Sequence, residues 1–232
     1  PFLREFRSRM RLLVITNLYP PQELGGYGRC LSDFVWGLSS LGHSVTVLCS
    51  DAPYLNKLSS ILSDDSHILR SLRLKGTYEN GLTAFTDPTL CRKIDFSNQQ
   101  IVSDILVSGF DGILLGNLDL IGFQFLPSLL RLNIPVLHHI GFVAPPFSPN
   151  PLLSSNNYHM LPASLAVAHS LNRAGFDVPF SNVVYPGART DLFSPRVGHL
   201  SSSLSFALSQ ASRGIPLGSP SNPLKIGFAG LL

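Results

Sequence analysis

The spacing of apolar residues changes several times over the first fifty positions. Arg11 to Thr16 is an apolar, β-branched run of the kind shown by a strand buried on both faces. Asn17 to Gly26 is rich in Pro and Gly and cannot continue that strand. Leu31, Phe34, Val35 and Leu38 then recur at helical spacing, and Leu41-Gly42 closes the helix. Val45 to Cys49 is a second apolar strand, with Ser50-Asp51 at its carboxyl end. The alternation continues. Strands are predicted over His67 to Leu74, Gly112 to Leu115, Ile134 to Ile140, Tyr158 to Ala163 and Asn182 to Tyr185. Helices are predicted over Phe96 to Val107, over Ile121 to Leu132 despite Pro127, and from the Ser164 cap to Ala174, with Gly175 after it. Ala52 to Asp65 and Val143 to Pro151 carry no period and read as loops. Strands that alternate with helices predict an α/β fold: a Rossmann-like parallel sheet with helices on both faces.

The organisation at the two ends differs from this body. Residues 1–10 form a basic leader, and residues 11–195 the Rossmann-like domain. Residues 196–223, dominated from Gly198 by Ser, Gly, Pro and Leu, read as a linker. Residues 224–232 resume an apolar strand pattern, as the first strand of a second domain. With Pro1 at its head and Leu232 just past that strand, the sequence is expected to be a piece of a longer protein.

Composition narrows the classes. The chain has 232 residues, 13% of them charged, and a net charge of +3, too modest and too dispersed for a nucleic-acid groove. No run reaches the about 18 apolar residues that span a bilayer. The leader shows no apolar stretch with a small-residue cleavage site. Cys30, Cys49 and Cys91 are too widely spaced for a metal or redox motif, which suits a cytoplasmic setting.

The candidate chemistry clusters where strands end. Gly25-Gly26 stands before a helix, where a loop without Cβ atoms lets backbone N–H groups and the helix dipole meet phosphate. The bland alternative is a tight turn with no ligand. The glycines form neither a dinucleotide fingerprint, since Leu31 stands at the third glycine position, nor a P-loop. His138 and His139 end a strand, so at most one of them faces a cleft. Two histidines without a third ligand make no metal site. Asn17, Asp51, Gly116, Asn117 and Asp119 lie at strand ends of one sheet edge, where open α/β sheets take ligands. Tyr27 and Arg29 open the first helix.

The motifs VITNLYPP, the GGY after them, LGHSVTVLCSD, IPVLHHIG, SLAVAHSLNRAG, VVYPGARTDLFSP and PLKIGFAGLL follow one another in an order that resembles the retaining GT-B glycosyltransferases. That large family includes sucrose-phosphate synthases and bacterial mannosyltransferases. The resemblance covers most of the chain and implies the N-terminal, acceptor-side half of a GT-B fold. It implies transfer of a sugar from a nucleotide diphosphate sugar to an acceptor hydroxyl with retention, in cell-surface polysaccharide or glycolipid synthesis. It places Gly25 and Gly26 at the donor diphosphate and His139 or His138 at the reacting sugar; topology makes Asn17, Asp51 and Asn117 acceptor-binding candidates, and Tyr27 and Arg29 join them from the helix start, in reach of acceptor or phosphate. Counted from Ile134-Pro135, the family's usual histidine falls nearer Gly141 than His139. The resemblance implies no metal and no cofactor beyond the donor substrate. It allows a weak peripheral contact with the inner membrane face, and it implies that the fragment alone is inactive because most donor contacts sit in the second domain. A GT-B sugar epimerase and a non-catalytic binding module are the competing readings.

Overall fold

A computed structural model describes residues 9–22, 26–52, 67–79, 82–142, 147–149, 155–187 and 189. The chain divides into two compact units, Pro1–Gly187 and Ala188–Leu232. The predicted linker and final strand, most of the basic leader, most of Ala52 to Asp65, Gly25, and much of Val143 to Pro151 lie outside the described residues.

The first unit is built on a parallel sheet of six strands in the order β3-β2-β1-β6-β7-β8. These are β1 (Arg11–Ile15), β2 (Ser44–Ser50), β3 (Ile68–Leu72), β6 (Gly112–Leu115), β7 (Val136–Ile140) and β8 (Tyr158–Pro162). The chain works outward from β1 in one direction, then returns to the other side of β1 through β6, as in a Rossmann-like sheet. The order reverses between β1 and β6, which fixes a crevice outside their carboxyl ends.

Strand alternation sorts the side chains to two faces. Val14, Val45, Val47 and Cys49 face α1 (Tyr27–Ser40), through Val35 and Leu38. Leu13, Ile15 and Leu48 face the other way, onto a larger core that takes Val102 from α2 (Pro88–Leu106), Leu126 and Leu129 from α3 (Leu126–Leu130), and Val167 and Leu171 from α4 (Leu165–Arg173). Helices thus cover both faces, as the sequence pattern requires. Among the described residues no helix is long and apolar enough to cross a membrane.

Local chemistry sets the boundaries. Asp87 caps α2 by accepting from the N–H groups of Thr89 and Leu90, both at 3.0 Å, and Pro88 opens the helix. That cap starts α2 well before the expected Phe96. Between β3 and α2 lies a further pair, β4 (Gly76–Glu79) and β5 (Leu82–Phe85), joined antiparallel. The expected helix over Ile121 to Leu132 is only the single turn of α3, because Gly122 sits at φ +83 and Pro127 sets the start. No strand forms over Asn182 to Tyr185. A 3₁₀ turn over Phe180–Asn182 precedes a lone contact from the Val184 N–H to the Pro162 carbonyl at 2.9 Å. Proline has no N–H to return, so pairing there stops.

Candidate functional site

The loops after β1 and β6 are stitched together across the point where the strand order reverses. The Asn17 N–H donates to the Asn117 carbonyl at 2.8 Å, and the Asn17 amide Nδ2 donates to Asp119 Oδ1 at 2.5 Å. Asn17 Oδ1 accepts from the Leu18 N–H at 2.7 Å. Asn117 Oδ1 in turn accepts from the Asp119 N–H at 3.1 Å. Asn17 is 3% exposed, so its polar atoms face protein. It braces the floor of the crevice. Asp51 is exposed at the end of β2, where its N–H donates to the Leu72 carbonyl at 2.7 Å.

Two residues that sequence reasoning passed over hold the loop from β1 to α1. Arg70, on β3, donates to the carbonyls of Tyr19 at 3.1 Å and Pro20 at 2.6 Å and to Gln22 Oε1 at 2.9 Å. The Gln22 amide donates to the carbonyls of Ser50 and Ala52, at 2.8 and 2.6 Å. Five bonds from two side chains fix a loop without regular structure of its own. The approach of α1 to the sheet is equally tight. A Cβ on Gly116 would stand 2.2 Å from Leu31 Cδ1 and 2.9 Å from Thr16 Oγ1, so any side chain there must displace Leu31.

Gly26 precedes α1 with nothing within 4 Å of where its Cβ would stand, and the first turn carries no acidic residue. Among the described residues, the head of α1 thus offers open space, a positive dipole end and a first turn without a carboxylate, a setting favourable to an anion. Arg29 is exposed in that same turn.

The two histidines of β7 point to opposite faces. His138 is 4% exposed. Its Nε2–H donates to the Gly116 carbonyl at 3.1 Å, and its Nδ1 accepts from the Tyr158 hydroxyl at 2.6 Å. A carbonyl only accepts, which assigns the proton to Nε2. Burial drives its pKa down to about 3, opposed by the Gly116 carbonyl. Both ring nitrogens are engaged, so His138 is a satisfied core histidine that ties β6 to β8.

His139 is 1% exposed and faces α1, where its ring meets Tyr27 and, edge-on, Phe34. Its Nε2–H donates to the Val184 carbonyl at 3.1 Å. Burial holds its pKa below the ordinary value, with the Val184 carbonyl acting against it. The Tyr27 hydroxyl donates to the His139 carbonyl and stands 3.3 Å from Nδ1. Burial, then the nearby Cys30, raises the Tyr27 phenol pKa, so the hydroxyl keeps its proton.

Tyr27, Gly116, Asn117, His138 and His139 line one cavity at the carboxyl ends of β6 and β7, together with Phe142 and Phe147. Its volume is about 10 Å³, space for about one water. Of the expected residues, the structure gathers Tyr27, His138, His139 and Asn117 here. Asn17 braces the floor beside them, while Asp51 and Arg29 do not line the cavity. A larger cavity of about 490 Å³ lies along β8, at the far edge of the sheet, lined by His159, Asp177 and Asn182 among others. Among the described residues no group of three or more His, Cys, Asp or Glu side chains is placed to hold a metal ion.

No family model matches the sequence, and no curated protein matches it either. Two solved structures are similar in shape. MurG of Acinetobacter baumannii is 16% identical, with a TM-score of 0.45, over 87% of this chain and 57% of that one. UDP-N-acetylglucosamine 2-epimerase of Rickettsia bellii is 12% identical, with a TM-score of 0.49, over 90% of this chain and 52% of that one. The chain thus spans little more than half the length of either. Likeness this faint carries no argument about substrate or reaction.

Proposed function

We propose that this chain is the acceptor-side domain of a GT-B glycosyltransferase, taking part in transfer of a sugar from a nucleotide diphosphate sugar to an acceptor hydroxyl with retention. The observation that carries the reading is the head of α1. Open among the described residues, glycine-fronted and with no acid in its first turn, it stands beside the crevice where a sheet of this order takes ligands.

In this reading Gly25 and Gly26 receive the donor diphosphate, whose departing charge the backbone N–H groups and helix dipole stabilise without a metal. His139 stands nearest the reacting sugar, because its ring lies on the α1 side of β7, against Tyr27. Asn117 and Tyr27 border the acceptor, Arg29 and Asp51 lie at its rim, and Asn17 positions the loop that carries Asn117. A second domain supplies the remaining donor contacts, so the 232-residue chain alone shows little or no turnover. The acceptor is a glycan or lipid-linked glycan of cell-surface synthesis, met at the cytoplasmic membrane face.

The test is binding of UDP-, GDP- and ADP-sugars to the chain by titration calorimetry, with Gly26→Asp beside it. Gly26 has an ordinary φ of −84° and no described atom within 4 Å of where a Cβ would stand, so aspartate fits there. The expected result is a folded protein, with nucleotide-sugar binding weakened about tenfold or more by a carboxylate at the helix head. Equal binding by both, or no binding by the parent, would overturn the placement of the donor diphosphate at Gly25 and Gly26. Steady turnover by the chain alone would overturn the requirement for a second domain.

A further inference from the structure

We infer that Tyr27 is a latch, an aromatic plug that holds the crevice at the carboxyl ends of β6 and β7 shut and must swing away before a ligand enters beside His139. The inference rests on the reading that ligands arrive at this edge of the sheet.

Three observations carry it. The first is volume: with the Tyr27 ring in place, the cavity is about 10 Å³, too small for any sugar or nucleotide. The second is Gly141. A Cβ there would stand 2.5 and 2.8 Å from Cε2 and Cδ2 of Tyr27, so the end of β7 is left bare where the ring lies. Phe142 stacks on the same ring, with centroids 5.8 Å apart and planes 15° from parallel. The third is the count of protons. The Tyr27 hydroxyl has one proton and two acceptors in reach, the His139 carbonyl and His139 Nδ1. Nε2 already donates to the Val184 carbonyl, so the neutral ring leaves Nδ1 with a lone pair and no proton. The closed arrangement thus hangs the Tyr27 hydroxyl on one residue by a single shared proton, so one side-chain rotation releases both contacts.

Position makes release simple. Tyr27 is the first residue of α1, so its side chain swings by rotation about χ1 without unwinding the helix. The contact atoms of Gly141 are the far end of a side chain, not backbone. A methyl group at 141 therefore displaces the ring and leaves the strand in place.

The experiment uses the whole chain labelled with ¹³C-tyrosine. It holds six tyrosines, and Tyr27→Phe identifies the Tyr27 signal. A soluble paramagnetic chelate then reports how exposed each ring is. The expected result is a protected Tyr27 signal in the parent and an exposed one in Gly141→Ala, with the other tyrosines unchanged. UDP-N-acetylglucosamine titrated into the parent should expose Tyr27. The same probe should bind Tyr27→Ala about tenfold more tightly, as when a closed state holds about nine-tenths of the population. A Tyr27 ring that stays protected in folded Gly141→Ala would overturn the latch. So would equal affinity of the parent and Tyr27→Ala, which decides the matter if Gly141→Ala does not fold. Exposure in Gly141→Ala with no nucleotide sugar bound by any variant would uphold the latch and sink the proposed ligand instead.

Discussion

The two faces of β7 differ in how they use the same side chain. On one face His138 has a full set of partners, one nitrogen giving its proton to Gly116 and the other receiving one from Tyr158. On the other face His139 gives one proton to the Val184 carbonyl, and its Nδ1 faces the Tyr27 hydroxyl, whose single proton is drawn to the His139 carbonyl. Both rings are almost fully buried. Burial alone therefore does not separate a structural histidine from one kept for a ligand. The number of protons available to each nitrogen does.

The sharpest way to break this contrast is to truncate each ring. His138→Ala strands the Tyr158 hydroxyl and the Gly116 carbonyl and opens a void between β6 and β8. We expect a loss of about 3–5 kcal/mol in denaturant unfolding, from a void plus unsatisfied polar groups. His139→Ala also leaves a void, between β7 and α1, but strands only the carbonyl of the exposed Val184, and should cost about 2–4 kcal/mol. Equal losses would refute the distinction drawn here.

Gly116→Ala tests the tight approach of α1. The new methyl meets Leu31 Cδ1 at 2.2 Å, and overpacking of this kind costs about 1–3 kcal/mol. A variant as stable as the parent would mean that α1 shifts freely on the sheet.

Acid should separate the parent from a variant lacking the His138 ring. The unfolded His138 titrates near 6.5 and the folded one near 3, so between these values the unfolded chain binds more protons. Stability contributed by the neutral ring is complete above about pH 6.5 and is lost as pH falls toward about 3. The slope approaches ~1.4 kcal/mol per pH unit near pH 5. His139, also lowered, acts in the same direction. Unfolding of the parent and His138→Gln from pH 7 to 4 should show a shallower slope in the variant; parallel curves would mean that His138 is not held neutral.

The smallest effect is that of Tyr27→Phe, which removes one hydroxyl bond and keeps the ring. Thermal unfolding should show a loss of about 0.5–1.5 kcal/mol. A larger loss would make Tyr27 a structural anchor and not a latch.

Much of the sheet was readable because its strands are apolar and bounded by turn residues. β1, β2, β6 and β7 follow directly from runs such as Leu12 to Ile15 and Val45 to Cys49. The hairpin β4–β5 was missed although Asn80-Gly81, a strong hairpin signal, stands between its strands. The Asp87-Pro88 pair likewise marked the true start of α2, against a weaker apolar period that begins later. The candidate site was legible only as positions along a sheet edge. Strand alternation foretold that His138 and His139 would diverge, but not which would be satisfied, since their partners Tyr158 and Tyr27 lie 20 and 112 residues away. Arg70 and Gln22 left no local signal, because their work is to hold carbonyls distant in sequence.

The end of β8 has a consequence for how copies of this protein meet. An outer strand normally offers its unpaired backbone groups to any passing chain, the first step toward stacked, insoluble assemblies. Along the described rim of β8, Asn182 donates to the Met160 carbonyl at 3.4 Å, Val184 occupies the Pro162 carbonyl, and Pro162 has no N–H to offer. A neighbouring strand arriving at the Pro162 end finds two carbonyls taken and one N–H missing, so pairing is blunted at that end of the outer strand.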